Sequence, residues 1–545
     1  MATDNRTIIN DCEANTGWIG DDTAAVISDA GSFYQGSSGL STQLSNANEQ
    51  MHTTQDSVGA GTFNLDWSDS TLYLLVKDNL NASAASGGVQ FVIGDAADLI
   101  GYDVGGFDKT GLILPSFYYS YKLDVSERVT TPGSFTNFTG TEANLDQTQI
   151  TRIGYGSLHT AKAVGSVDNV VMDCFRYIAN DSYALTIDGG TSGTPETMPD
   201  VIVDELAGGW GLVSNPKGSQ YDFFGPFEIG TPSGTANSYF TASNQQWYLI
   251  ATDIGATHFP CRTVGNSTGT NSVVLEGVAV VGIGTPAEFD LSDANMNIVK
   301  ITGGGFTGLG VITMPVQSAG NRFCNGTAFT DCAKAVLQSL DMDGCIFDNP
   351  ADADGAIIWD ENTTDSAKQV NQVYKGTGGH AVHVLPVGAG PFTYNISGPV
   401  ETGHATSDGS VGDEFFLCDS ASDANITINV TDGSGNFKYM KAAGYTGTVT
   451  VNQSVTITLT CVEGATAIQG VNVIVGTTLG GVDVIDNLLT DVNGEVEVTY
   501  TGSTPQAVLG YAAKGSEVPT YKRADISFTI GASGATPVIN MISDD

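Results

Sequence analysis

At 545 residues the chain is longer than one ordinary hydrophobic core supports, so about three or four domains are expected. Its formal charge of −40 reflects scarce bases, 20 Lys+Arg against 60 Asp+Glu, and charged residues make up only 15% of the chain against roughly 25% in typical soluble domains. Such a surface repels phosphate backbones and anionic lipid, which excludes nucleic acid and membrane insertion as expected partners, and it attracts divalent cations.

The opening residues, Met1 to Asn10, carry neither a basic nor an apolar leader segment, and no stretch approaches the roughly 18 apolar residues that span a bilayer. The expectation is a chain without a signal peptide or transmembrane segment. Gly is 68 of 545 residues, and short apolar runs with period two alternate with Gly, Asn, Asp, Ser and Thr clusters, the pattern of strands and turns. An all-β fold follows.

Residues 1–252 read as one sandwich or two, with strands at 71–77, 89–93, 116–123, 169–177 and 247–252. The opening Ile9-Asn10-Asp11-Cys12-Glu13-Ala14-Asn15-Thr16-Gly17-Trp18, followed by Gly31-Ser32-Phe33-Tyr34-Gln35-Gly36, resembles the first strands of carbohydrate-binding and galactose-binding jelly rolls. That resemblance implies an N-terminal jelly-roll-like β-sandwich. It also makes Glu13 a calcium candidate, because such modules hold a structural calcium through an early carboxylate. Trp18, Tyr34, Trp67, Tyr118, Trp210 and Trp247 are the aromatic residues of this region that could stack on a sugar, although in a sandwich of this size most such rings fill the core.

From 253 to 400 the apolar pieces become shorter, at 272–281, 298–302, 311–314, 321–325, 335–337, 345–347, 356–359, 370–373 and 381–385. The phrases Asn321-Arg322-Phe323-Cys324-Asn325-Gly326-Thr327-Ala328-Phe329-Thr330-Asp331-Cys332 and Met342-Asp343-Gly344-Cys345-Ile346-Phe347-Asp348-Asn349 resemble rungs of a short right-handed parallel β-helix. About five or six rungs, repeating at roughly 20–25 residues, are expected. Cys324, Cys332 and Cys345 then become inward stacking positions.

Residues 401–440 read as an Asp-, Ser- and Gly-rich linker, and 441–545 as an immunoglobulin-like β-sandwich with strong alternation at 449–460, 469–475 and 494–500. Asn493-Gly494 predicts a tight hairpin, since both residues tolerate positive φ. Gly470-Val471-Asn472-Val473, Thr490 through Glu495, Tyr521-Lys522-Arg523 and Phe528 through Gly534 resemble the C-terminal Ig-like modules of tailed-phage structural proteins. The resemblance implies a virion surface protein, of tail-fibre, baseplate-appendage or head-decoration type, touching other virion proteins and a host surface glycan, and the β-helix resemblance implies a homotrimer, since the parallel β-helices of phage appendages commonly trimerise. Assembly in the cytoplasm and release by lysis would place it outside a cell without a leader.

Asp341-Met342-Asp343-Gly344 and Asp352-Ala353-Asp354-Gly355 pair carboxylates before a glycine, as calcium loops do, but lack the remaining ligands of an EF-hand, so solvated turns fit as well. Eight cysteines are scattered with no CxxC pair, fitting buried thiols better than a zinc site or a disulfide framework. Asp341, Asp343, Asp360, Glu361 and Asp365 are available for glycoside cleavage, yet no spacing selects two of them, and no nucleophile elbow, phosphate loop or HExxH is present. The expectation is therefore a structural or adhesive protein and not an enzyme. A cell-surface adhesin or filament subunit and a tailspike-like polysaccharide depolymerase stand as the alternatives.

Overall fold

The computed structural model describes residues 1–10, 12, 18–20, 26–29, 39–44, 48–53, 65–78, 88–95, 98–103, 112–113, 118–124, 144–158, 168–179, 182–232, 237–251, 259–284, 287–314, 321–332, 334–337, 341–349, 354–361, 369–376, 379–404, 415–434, 437–478, 480–501, 506–515, 518–531 and 534–544. They are mostly β-strand, with one α-helix, Met198–Gly208, among them, in agreement with the all-β expectation. The backbone forms two compact units, Met1–Lys300 with Gly304–Thr313, and Ile301–Gly303 with Met314–Asp545.

The first unit begins with two antiparallel sheets. One orders Leu112–Ile113, Tyr118–Asp124, Ser70–Asp78, Asp168–Ala179, Gly39–Leu44 and Val26–Asp29, with Thr7–Asn10 also paired to Asp168–Ala179. The other orders Trp18–Gly20, Asn48–Thr53, Arg152–Leu158, Gly88–Gly94 and Leu99–Asp103. Trp18 of the second sheet meets Phe175 of the first at 5.9 Å between ring centroids. The run Leu72-Tyr73-Leu74-Leu75-Val76 is buried on both faces, which explains why it is apolar throughout and does not alternate. Its second face is covered by later chain: Leu75 and Cys174 cluster with Phe224.

That later chain is a stack of parallel ladders. Leu185–Ile187, Phe227–Gly230, Phe259–Val264, Ala287–Asp290 and Val311–Thr313 pair in succession. Beside them run Gln220–Phe223, Gln246–Ala251, Ala279–Gly284 and Gly305–Thr307, and a third ladder contains Ser238–Ser243 and Asn271–Glu276. The chain visits the three ladders in turn, so each strand pairs with the strand one circuit on. Phe223, Phe227, Phe240 and Trp247 fill the interior, with Phe223 and Phe227 stacked at 4.3 Å.

The second unit repeats this pattern. Its ladders run Lys334–Leu337, Ile357–Trp359, Val382–Val384, Phe416–Cys418 and Tyr439–Lys441; Ala328–Thr330, Ile346–Asp348, Val373–Lys375 and Val400–Thr402; and Arg322–Asn325, Asp341–Asp343, Gln369–Val370, Phe392–Ser397, Ile426–Thr431 and Val449–Glu463. Phe329, Phe347 and Tyr374 stack one above another at 5.0 and 5.1 Å.

In both units one corner of the circuit needs a left-handed residue. Asn244, Gly277, Gly303, Gly326, Gly344, Asn371, Gly398 and Asp432 occupy it with φ between 52° and 65°. Only Gly, Asn and Asp enter this region readily, so their recurrence at strand edges is the sequence trace of the turn. The corner N–H donates to the next circuit: Gly326 to Asp343 O at 2.8 Å, Gly344 to Val370 O at 2.9 Å and Asn371 to Ser397 O at 2.8 Å. The residue just past the corner reaches back instead. Thr327 Oγ1 donates to Gly303 O, Cys345 Sγ to Cys324 O and Gln372 Nε2 to Met342 O, at 3.2, 3.2 and 3.0 Å, so each donor of this fully buried polar column finds a carbonyl on the preceding circuit.

The second unit ends in two further sheets. Val449–Glu463 pairs with Glu495–Tyr500, Thr466–Ala467 and Val538–Asn540, and Ile485–Leu489, Asn472–Gly476, Gln506–Lys514 and Tyr521–Ile530 form the other. Val455, Ile457, Leu459, Cys461, Val473, Val475 and Val508 are buried between them. One strand thus serves both parts: residues 449–454 close the ladder on Ile426–Thr431, and residues 455–460 pair with Glu495–Tyr500.

Three differences from the sequence reading have physical causes. Parallel pairing starts at Leu185 and not near 253, because the early rungs carry larger apolar residues and read as sandwich strands. The 401–440 segment holds the strands Phe416–Cys418, Ile426–Thr431 and Tyr439–Lys441, whose apolar triplets are too short to stand out among Asp and Ser. Asn493-Gly494 makes no hairpin: Ile485–Leu489 and Glu495–Tyr500 lie in different sheets, and Asp491 holds the bend by accepting from the N–H groups of Asn493 and Glu495 at 2.8 and 2.9 Å. All eight cysteines are unbridged and buried, with Cys324 and Cys345 Sγ atoms 3.9 Å apart on successive circuits.

Candidate functional site

An open pocket of about 510 Å³ lies in the first unit, where the N-terminal strands, the sandwich and the first ladder meet. The N-terminus creates it by pairing twice: Ala2–Asp4 runs antiparallel to Leu185–Ile187, then Thr7–Asn10 joins Asp168–Ala179. Asn5 and Arg6 make the step between the two.

Buried charge locks that step. Asp4 holds Arg6 through two bonds of 2.9 Å and also pairs with Arg176, while Arg6 Nη2 donates to Trp210 O and its guanidinium sits 4.7 Å from the Tyr73 ring centroid. Burial pushes the Arg6 guanidinium down and Arg176 to about 10, the nearby Glu205 carboxylate working against the shift in both. Glu205 is buried on the helix Met198–Gly208, and its carboxylate accepts from the N–H groups of Gly211, Leu212 and Val213. Burial raises its pKa against the pull of those bonds and of Arg6. The helix starts at Thr197, whose N–H and hydroxyl both donate to Asp200, and stops at left-handed Gly209.

The pocket wall comes from outward positions of the first ladder. Thr186, Glu228, Arg262 and Asp290 are register partners on successive strands. Thr186 Oγ1 donates to Glu228 Oε1 at 2.9 Å; Arg262 donates from Nε and Nη2 to Glu228 Oε2 at 3.0 and 2.6 Å. Tyr183 lies under the guanidinium, 4.2 Å from ring centroid to Cζ. Burial raises the Tyr183 pKa, with Arg262 opposing, and for Arg262 the Glu228 bond and the Tyr183, Glu228 and Asp293 charges outweigh burial and raise it. Asn5 spends both amide hydrogens on Tyr183 O and Thr186 Oγ1, at 3.0 and 2.7 Å, leaving Oδ1 as an acceptor. Thr7, Tyr177 and Ser182 complete the polar lining, with Ile178 and Ala179 as its apolar part. The site offers hydroxyls, an amide, a balanced ion pair and two tyrosines, a set suited to binding a hydroxylated ligand.

None of these residues was singled out in the sequence. The available signal was Arg176 and Arg262, each a cation inside an apolar strand of a base-poor chain, where burial demands a carboxylate partner. The aromatic candidates fare differently. Trp67 and Trp247 are fully enclosed and Trp18 is 8% exposed, so all three are core and present no ring face to a sugar. Trp210 is half-buried, its ring lying over Gly208. Tyr34 lies outside the described residues, as does the side chain of Tyr118.

Of the calcium candidates, Glu13 and Asp352 lie outside the described residues, as does the Asp341 side chain. Asp343 and Asp354 are exposed, and Asp343 accepts from Asn371 Nδ2 at 3.1 Å. Among the described residues no group of three or more His, Cys, Asp or Glu side chains is placed to hold a metal ion. Also among them, no helix is long and apolar enough to cross a membrane.

No protein-family model and no curated protein matches the chain. Among solved structures it is similar to a family 11 carbohydrate-binding module from Clostridium thermocellum in complex with a β-1,3-1,4-mixed-linked tetrasaccharide, at 14% identity over 32% of this chain and 95% of that one, with a TM-score of 0.23. It is also similar to the CBM22-1 xylan-binding domain from Paenibacillus barcinonensis, at 14% identity over 33% of this chain and 99% of that one, with a TM-score of 0.20.

Proposed function

We propose that the chain is a bacteriophage structural protein displayed on the particle surface, where it adheres to glycan through the pocket formed by Asn5, Tyr183, Glu228 and Arg262. In this reading the paired antiparallel sheets are a jelly-roll-like sandwich, the parallel ladders a right-handed β-helix and the terminal sheets an Ig-like module, three rigid pieces suited to display. The acidic, base-poor composition supports an external location, and it discourages nonspecific association with anionic cell surfaces.

The pocket carries the adhesive part of the proposal. Its polar groups are held in place, Asn5 by two hydrogen bonds and Arg262 by Glu228 and Tyr183, so little side-chain freedom is lost when a ligand arrives. Retention of the purified protein on columns of surface polysaccharide from candidate host bacteria tests it. The proposal expects retention by at least one polysaccharide, lost in Tyr183→Ala, and a solution mass near three times the 56.5 kDa chain. Retention that Tyr183→Ala leaves intact would place adhesion elsewhere, and a monomer would remove the trimer.

A further inference from the structure

Resting on the glycan reading of this pocket, we infer that its ligand is an uncharged saccharide and that the Glu228–Arg262 pair closes the site to acidic sugars. Arg262 is the one cation among the described lining residues, and a free guanidinium there would select a carboxylate, which it can bind through two parallel bonds. Here the charge is already balanced and one edge of the fork is occupied. Nε and Nη2, one edge of the fork, are both given to Glu228 Oε2, and the ring of Tyr183 covers a face. Glu228 is itself satisfied on its other oxygen by Thr186, so the pair has net zero charge and no incentive to open.

The surroundings push the same way. The next outward position of the ladder after Arg262 is Asp290, which sets a carboxylate on each side of the guanidinium in register, and the whole chain carries −40. An incoming uronate or sialate would meet a guanidinium whose charge Glu228 already balances, and would approach Glu228 and Asp290 without gaining a new cation. A neutral sugar meets none of these costs. Its hydroxyls can accept from Arg262 Nη1, which makes no hydrogen bond among the described residues, and can donate to Asn5 Oδ1, while Thr7 and Ser182 supply hydroxyls that do either.

The test is an array of neutral hexose oligosaccharides and length-matched hexuronate oligosaccharides, probed with the full-length protein and with Glu228→Gln, which keeps the shape of the pair and deletes its negative charge. The wild type should bind neutral oligosaccharides and leave the hexuronates unbound. Glu228→Gln should shift the preference toward hexuronate by roughly tenfold, the size of one partly screened charge interaction. Asp290→Asn, an exposed position, should shift it in the same direction by a smaller factor and serves where Glu228→Gln folds poorly. Hexuronate binding by the wild type as tight as neutral binding, or no shift in either variant, overturns the inference while leaving the glycan reading standing. Binding of neither class fails that reading itself.

Discussion

Each unit joins a parallel stack to an antiparallel sandwich, and the two do it with opposite chemistry. In the second unit the joint is a single strand: Val449–Glu463 leaves the ladder and enters the terminal sandwich without a break, and the core that receives it, Val455, Ile457, Leu459 and Cys461 among others, is apolar. In the first unit the N-terminal strands pair with both parts in turn, and the step between the two pairings is fixed by Asp4, Arg6 and Arg176. An apolar joint can close completely. An ionic one must keep its charges paired and surrounds itself with hydrogen-bonding groups, and the pocket is found there.

The largest effect should come from breaking the ionic joint. Asp4→Ala leaves two buried guanidinium groups without their carboxylate, and should lower the opening free energy of the Leu185–Ile187 and Asp168–Ala179 amides by about 3–5 kcal/mol in hydrogen exchange. A loss below about 1 kcal/mol would mean the pairing of the N-terminal strands holds without the charges. Leu459→Ala should cost the terminal sandwich about 3 kcal/mol through its cavity, with no change in exchange across the first unit's N-terminal strands. If protection fell equally in both places, the joints would not be separate. The smallest effect belongs to the stack itself. Cys345→Thr places at one corner the residue that Thr327 already supplies one circuit earlier, so denaturation should shift by less than about 1 kcal/mol, whereas a larger loss would show the two corners to be inequivalent.

Strand positions were legible because alternation and short apolar runs survive at Ser70–Asp78, Gly88–Gly94 and Ile298–Thr302, and the left-handed corners announced themselves as Gly, Asn or Asp. Where each part begins was harder to see. Rungs with long strands, such as Gln246–Ala251, look like sandwich strands, and only pairing direction separates them. The helix Met198–Gly208 was hidden because it is short, although Thr197, Asp200 and Gly209 mark its ends. The pocket could not be read at all, since Asn5, Tyr183, Glu228 and Arg262 lie far apart in sequence and are brought together by ladder register, a property of the fold and not of spacing. Large rings suggest sugar platforms, but in a chain with this much interior to fill Trp18, Trp67 and Trp247 went to the core, as the expectation that most such rings are core allows, and Trp210 alone of the four is half-buried.

The most direct test of the account is a crystal structure of the full chain grown with a neutral oligosaccharide that it binds. The account predicts sugar density between Tyr183, Asn5 and Arg262, with the Glu228–Arg262 pair still closed beneath it. Density over any other surface, with this pocket filled only by solvent, would contradict it.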